Sequence, residues 1–134
     1  LTLIIYLVFN MEKLKIKDLK INEKNIFNVE IDKTPGGNST KLTVLSVKGQ
    51  NKRSTGPILT VSGGVHGDEY EGPLAIMNLF RELKVEELNG TFVGLVVANV
   101  PAFEAGTRCS PLDGLNLARI FPGNKSLEDK IVWG

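Results

Sequence analysis

One imidazole and one carboxylate stand three residues apart in the stretch 62–73, Ser-Gly-Gly-Val-His-Gly-Asp-Glu-Tyr-Glu-Gly-Pro. They are His66, the only histidine of the chain, and Glu69. Both side chains are good zinc ligands, and a catalytic zinc takes three protein ligands while leaving a fourth position for water. His66 and Glu69 supply two of the three; the third is missing. A His-x-x-Glu pair also arises by chance in many chains, and glycines after a strand often only make a turn. Placement favours chemistry. An apolar run at 57–61 precedes the pair and a helical pattern at 74–80 follows it. That is the end of a strand and the start of a helix, where open α/β sheets put their ligands. Glycines at 63, 64, 67 and 72 let the backbone approach an ion or substrate closely.

Further along, Arg108 and Arg119 lie in a stretch, 99–123, with little regular pattern and prolines at 101, 111 and 122. Most arginines serve only as surface charge. A long irregular stretch leaving the same edge of the sheet as the His66 loop is a different setting, since such loops are often functional. Two guanidiniums there suit an anionic substrate, because each can hold a carboxylate through paired hydrogen bonds. Cys109 sits beside Arg108, which favours a thiolate. With no second histidine as its base, a nucleophilic cysteine is the weaker reading.

The elements that must position these groups follow from composition and periodicity. The chain has 134 residues, 42% of them hydrophobic and 23% charged, with a formal net charge of +1. That is enough to bury one core. Its balanced charge argues against nucleic acid or an anionic membrane as partner. A single cysteine excludes an internal disulfide framework and fits a reducing, cytoplasmic compartment. The apolar run at 1–9 is too short to span a bilayer, which takes roughly 20 residues. We expect residues 1–10 to be a non-native extension upstream of a start at Met11, and residues 11–134 to be the N-terminal part of one domain.

Residues 11–24 are compatible with strand or helix. Phe27, Val29 and Ile31 alternate with polar residues as in a half-buried strand. A Pro-Gly-Gly turn separates them from Leu42, Val44 and Val47, so an antiparallel hairpin is expected. Residues 57–61 have the composition of a buried parallel strand. A helix should start near Glu71, with Pro73 tolerated in its first turn, and present Leu74, Met77, Phe80 and Leu83 on its apolar face. Residues 91–97 read as the next buried strand. The expected fold is therefore α/β, a mixed sheet made of an N-terminal antiparallel hairpin followed by a βαβ unit.

Three blocks, Gly64-Val65-His66-Gly67-Asp68-Glu69, the run from Asn99 to Arg108 (Asn-Val-Pro-Ala-Phe-Glu-Ala-Gly-Thr-Arg) and that from Asp113 to Gly123 (Asp-Gly-Leu-Asn-Leu-Ala-Arg-Ile-Phe-Pro-Gly), occur in that order. Together they resemble the succinylglutamate desuccinylase/aspartoacylase family of the zinc carboxypeptidase superfamily. The resemblance implies an incomplete zinc-carboxypeptidase-like domain, with one Zn2+ per complete domain and His66 and Glu69 as ligands. It implies Arg108 as the catalytic group that polarises the scissile carbonyl. Arg119 would bind the substrate carboxylate, and Asn116 would belong to the same substrate-binding set. Ala118 is a departure, since the family often has Asn-Arg before Phe-Pro-Gly.

The implied reaction is hydrolysis of the amide bond of a small, anionic N-acyl amino acid. The family's third ligand, a histidine, and its catalytic glutamate lie further along, and no histidine follows His66 here. The 134-residue chain is therefore expected neither to hold catalytic zinc tightly nor to turn over. Two other readings stand beside the deacylase: a zinc carboxypeptidase acting on peptides, and a metal-free domain that binds an anion through Arg108 and Arg119.

Overall fold

A computed structural model describes residues 15–33, 39–50 and 56–121. After a single 3-10 turn at Ile16–Asp18 the chain enters β1 (Glu23–Lys33), returns in β2 (Ser39–Lys48), and continues through β3 (Ile58–Ser62), α1 (Glu71–Glu82) and β4 (Thr91–Leu95). Two short helices follow, α2 (Val100–Ala105) and α3 (Leu117–Ile120). The four strands form one sheet in the order β1-β2-β4-β3. β1 and β2 pair antiparallel, β2 and β4 antiparallel, and β3 and β4 parallel. This is the expected hairpin followed by a strand–helix–strand unit. The turn expected at 34–38, the two chain ends and most of the polar loop before β3 lie outside the described residues.

Alternation fixes how β1 sits. Phe27 and Val29 are half-buried on one face, while Ile26, 61% exposed, pairs with Leu45 on the α1 side, as a period of two requires. The core forms where β2, β4 and α1 meet, around Leu45, Val47, Ile76, Phe92 and Val96. Lys24 ties the hairpin to the helix: its ammonium donates to the carbonyls of Phe80 and Arg81 at 2.7 and 3.0 Å. Those carbonyls belong to the last turn of α1, where a cation also meets the negative end of the helix dipole.

Three expectations need correction. The buried strand at 57–61 is instead β3 at the edge of the described sheet, with Ile58 and Leu59 55% and 56% exposed. Its parallel pairing with β4 is present, but no described strand lies on its other side. On α1 the buried residues are Pro73 and Ile76, whereas Leu74 is 54% exposed. Pro73, Ile76 and Phe80 follow the 3.6-residue period, and Leu74 is turned away from that stripe. Finally, 99–121 is not irregular throughout, since it holds α2 and α3, each too short to give a periodic signal. No described helix is long and apolar enough to cross a membrane.

Phe92 is 2% exposed at the centre of the core. Phe92→Ala is expected to cost about 3–5 kcal/mol of stability, read from the urea midpoint at an unchanged denaturant slope. A cost below about 1 kcal/mol would show that the core does not centre there.

Candidate active site

Backbone pairing carries β3 and β4 past their ends and brings two loops together. The Gly63 N–H donates to the Leu95 carbonyl at 3.0 Å. The N–H groups of Ala98 and Asn99 then donate to the carbonyls of Gly63 and Gly64 at 2.8 and 2.9 Å. Two glycines make the approach possible. Gly64 has φ +60°, a conformation that L side chains rarely adopt, and a Cβ on Gly67 would fall 2.0 Å from the Ala102 carbonyl carbon. The His66 loop thus lies directly against the first turn of α2.

That turn is set by Asn99, which is 2% exposed and accepts from the Ala102 N–H at 3.2 Å. With Pro101 in the first turn it makes a standard helix start. Gly106, at φ +63°, ends α2 in the left-handed conformation and sends the chain to Arg108. Sequence reasoning did not single out Asn99 as the cap. The cue was an Asn-x-Pro at the end of an apolar strand.

The stretch after Arg108 folds back on itself. The Gly114 N–H donates to the Ser110 carbonyl, the Ser110 N–H to that of Leu115, and the Leu115 N–H to the Asp113 carboxylate. The chain thereby returns to His66 at Asn116, which caps α3 by accepting from the Ala118 N–H at 3.0 Å.

Four of the five residues singled out in the sequence therefore meet. Glu69 Oε1 lies 3.0 Å from His66 Nδ1 and 3.0 Å from Arg108 Nη1, and His66 Nε2 lies 3.1 Å from Asn116 Oδ1. The His66 side chain is 12% exposed, while those of Glu69 and Arg108 are each 54% exposed. The hydrogen bond from the His66 ring, with help from Arg108, holds the Glu69 carboxyl below the ordinary carboxylate value, while its partial loss of water works the other way. Arg119 is exposed on α3, three residues past Asn116, and has no side-chain hydrogen bond or ion pair among the described residues. Asn116, expected among the substrate-binding groups, uses its side-chain oxygen on the His66 ring and on the cap of α3. A separate groove of about 590 Å³ runs between the sheet, α1 and α2; its wall is mostly apolar and contains none of these five residues.

The donor set fits a metal. The Ala118 N–H can only donate, so the atom of Asn116 facing it is the oxygen, and the same oxygen faces His66 Nε2. Nε2 therefore carries a proton. Nδ1 then either donates to the carboxylate oxygen 3.0 Å away, as a hydrogen bond between them requires, or turns a lone pair toward it, a contact that a cation between the two atoms would relieve. Two ligand atoms about 2.1 Å from a tetrahedral zinc stand about 3.4 Å apart, so a small opening of the pair would admit the ion. Among the described residues no group of three or more His, Cys, Asp or Glu side chains converges, so His66 and Glu69 would be the two that hold it.

The site thus lies at a parallel strand end and joins a histidine–carboxylate pair to an arginine of the neighbouring loop. The chain belongs to the succinylglutamate desuccinylase/aspartoacylase catalytic domain family, whose model matches residues 55–131. It is 45% identical over 83 residues to the N-alpha-acetyl-L-2,4-diaminobutyric acid deacetylase of Halomonas elongata, covering 60% of this chain and 24% of that protein. Among solved structures, a succinylglutamate desuccinylase/aspartoacylase from Rhodobacter sphaeroides has a TM-score of 0.68 at 33% identity, over 80% of this chain and 33% of that one. The product-bound ectoine utilization protein EutE (DoeB) of Ruegeria pomeroyi has a TM-score of 0.65 at 29% identity, over 86% of this chain and 35% of that one. The chain thus spans about a quarter to a third of the length of these relatives.

Gly67 tests the packing that joins the two loops. Gly67→Ala is expected to cost about 1–3 kcal/mol through overpacking and to shift the backbone amide resonances of both the His66 loop and α2. A variant with wild-type stability and an unchanged spectrum would show that α2 does not hold the His66 loop.

Proposed function

We propose that this chain is part of a zinc-dependent amide hydrolase that removes the acyl group from a small N-acyl amino acid. The observation that carries the reading is the convergence of His66 Nδ1 and Arg108 Nη1 on one oxygen of Glu69, each at 3.0 Å. His66 and Glu69 would hold the ion. When bound, zinc supplies Lewis-acid chemistry, polarising a carbonyl and lowering the pKa of water to about 7.

The chain's own residues contribute the rest. Glu69, held anionic by its two partners, is ready as a ligand without first losing a proton. Arg108 carries a fixed positive charge on the loop beside it and donates to oxygen charge that develops on the scissile amide. Arg119, exposed and unengaged among the described residues, is free to take the substrate carboxylate through paired hydrogen bonds. The likeness to the Halomonas elongata deacetylase supports an N-acetyl diamino acid as the substrate.

The test uses protein expressed from the complete reading frame. Zinc-dependent release of acetate from N-α-acetyl-L-2,4-diaminobutyrate, lost in His66→Ala and Glu69→Gln, is the expected result. Release of C-terminal residues from peptides in its place would make the protein a carboxypeptidase. Anion binding that survives both chelation and His66→Ala, without turnover, would make it a metal-free binding domain.

Arg108→Ala is expected to lower kcat about 10²–10³-fold, the usual loss for one oxyanion donor, with less change in KM. A raised KM at unchanged kcat would assign Arg108 to ground-state binding.

A further inference from the structure

We infer that Tyr70 is a positioning residue: its ring, set against Phe103 of α2, fixes where that helix ends and so how far Arg108 stands from the His66–Glu69 pair. The catalytic part of the inference rests on the hydrolase reading proposed above. Tyr70 directly follows Glu69 and stands at the start of α1, where its carbonyl accepts from the Leu74 N–H at 3.1 Å. Its ring meets that of Phe103 edge to face, with centroids 5.3 Å apart and planes at 74°, the arrangement that ring quadrupoles favour. A Cβ built on Gly106 would lie 3.5 Å from the Tyr70 hydroxyl oxygen. The same side chain therefore also borders the left-handed residue that ends α2, and Arg108 follows two residues later.

α2 needs such a hold. Its six residues are too few to stay helical on their own hydrogen bonds. Gly67 packs on Ala102 and fixes the first turn, but that contact lies before the residues that release Arg108. The Glu69–Arg108 pair cannot fix the far end either, because both side chains are 54% exposed and water screens them. The Tyr70–Phe103 contact joins the backbone beside Glu69 to the later half of α2 through two rings that water does not screen.

Hydrogen exchange in the 134-residue chain reads this hold without reference to activity. The N–H groups of Gly106 and Thr107 donate to the Phe103 and Ala102 carbonyls at 3.2 and 3.0 Å, so their exchange follows opening of the last turn of α2. Tyr70→Leu is expected to speed exchange at these two amides about 2- to 10-fold, the opening that loss of an aromatic pair allows. Ala98 and Asn99, bonded to Gly63 and Gly64, should exchange as in wild type. Tyr70→Phe keeps the ring and should match wild type. Phe103→Leu removes the other ring and should match Tyr70→Leu.

In protein from the complete reading frame, Tyr70→Leu should lower kcat about 10- to 100-fold, the loss that misplacing a reacting group causes, with KM held within about twofold. In the Arg108→Ala background the same change should have no further effect, because the two residues act as one unit. Unchanged exchange at Gly106 and Thr107 in both leucine variants, equal acceleration at Ala98 and Asn99, or equally fast exchange in Tyr70→Phe would overturn the inference. So would a wild-type kcat in Tyr70→Leu, or a kcat loss that persists in full without Arg108. If the complete wild-type protein releases no acyl group, the hydrolase reading fails, and the exchange rates of the 134-residue chain decide the positioning role alone.

Discussion

Parallel pairing between β3 and β4 does not stop where the strands do, and the site depends on that continuation. Beyond Ser62 and Leu95 the pairing continues, shifted by one residue, through the Gly63–Ala98 and Gly64–Asn99 hydrogen bonds. Each added rung fixes a loop that would otherwise leave its strand independently. A single shared backbone track thus sets the distance between the His66 loop and the turn that starts α2. Gly67 lies against Ala102 with no room for a Cβ. Side-chain contacts of about 3 Å between Glu69 and Arg108, 39 residues apart, are possible because the backbones beneath them are already in register.

Sequence reasoning brought out the histidine–carboxylate pair and missed the scaffolding, and particular residues show why. His66 stood out because it is unique and lies between a strand and a helix pattern, a local signal. The hairpin was legible from the alternation of Phe27, Val29 and Ile31. Leu74 misled because an apolar side chain at helical spacing looks like core, and only the placement of α1 on the sheet puts Pro73 and Ile76 there instead. Helices of six and four residues leave no periodic trace, and their caps, Asn99 and Asn116, are visible only once one knows which amides they accept from. Asn116 was placed by its motif block among the substrate-binding groups, and its contact with His66 was not legible because the two are 50 residues apart.

Burial divides the site into two kinds of group. His66, 12% exposed and bonded at both ring nitrogens, is held in place by its surroundings. Glu69 and Arg108, each 54% exposed, are held mainly by each other and by the ring. Water screens an ion pair at that exposure, so it adds little to stability. Its use is geometric: it keeps the carboxylate oxygen on the Nδ1 side of the imidazole and the guanidinium within reach of the same point.

The charge balance around that point follows from the contacts of the two ring nitrogens. Asn116 places a proton on Nε2, and Glu69 places a negative oxygen opposite Nδ1. The centre of the site therefore has acceptor atoms on two sides and one cationic donor, Arg108, on its rim. A proton on Nδ1 satisfies the pair but uses up the lone pair that makes histidine a ligand. On the metal reading proposed above, a divalent cation would satisfy both acceptors and leave Arg108 free to turn from Glu69 toward an incoming oxygen. The three side chains rest here as a hydrogen-bonded chain, and on that reading they would open into a ligand pair and a free arginine. Arg108, 54% exposed, is the member of the three whose side chain can move without disturbing the backbone track that holds His66.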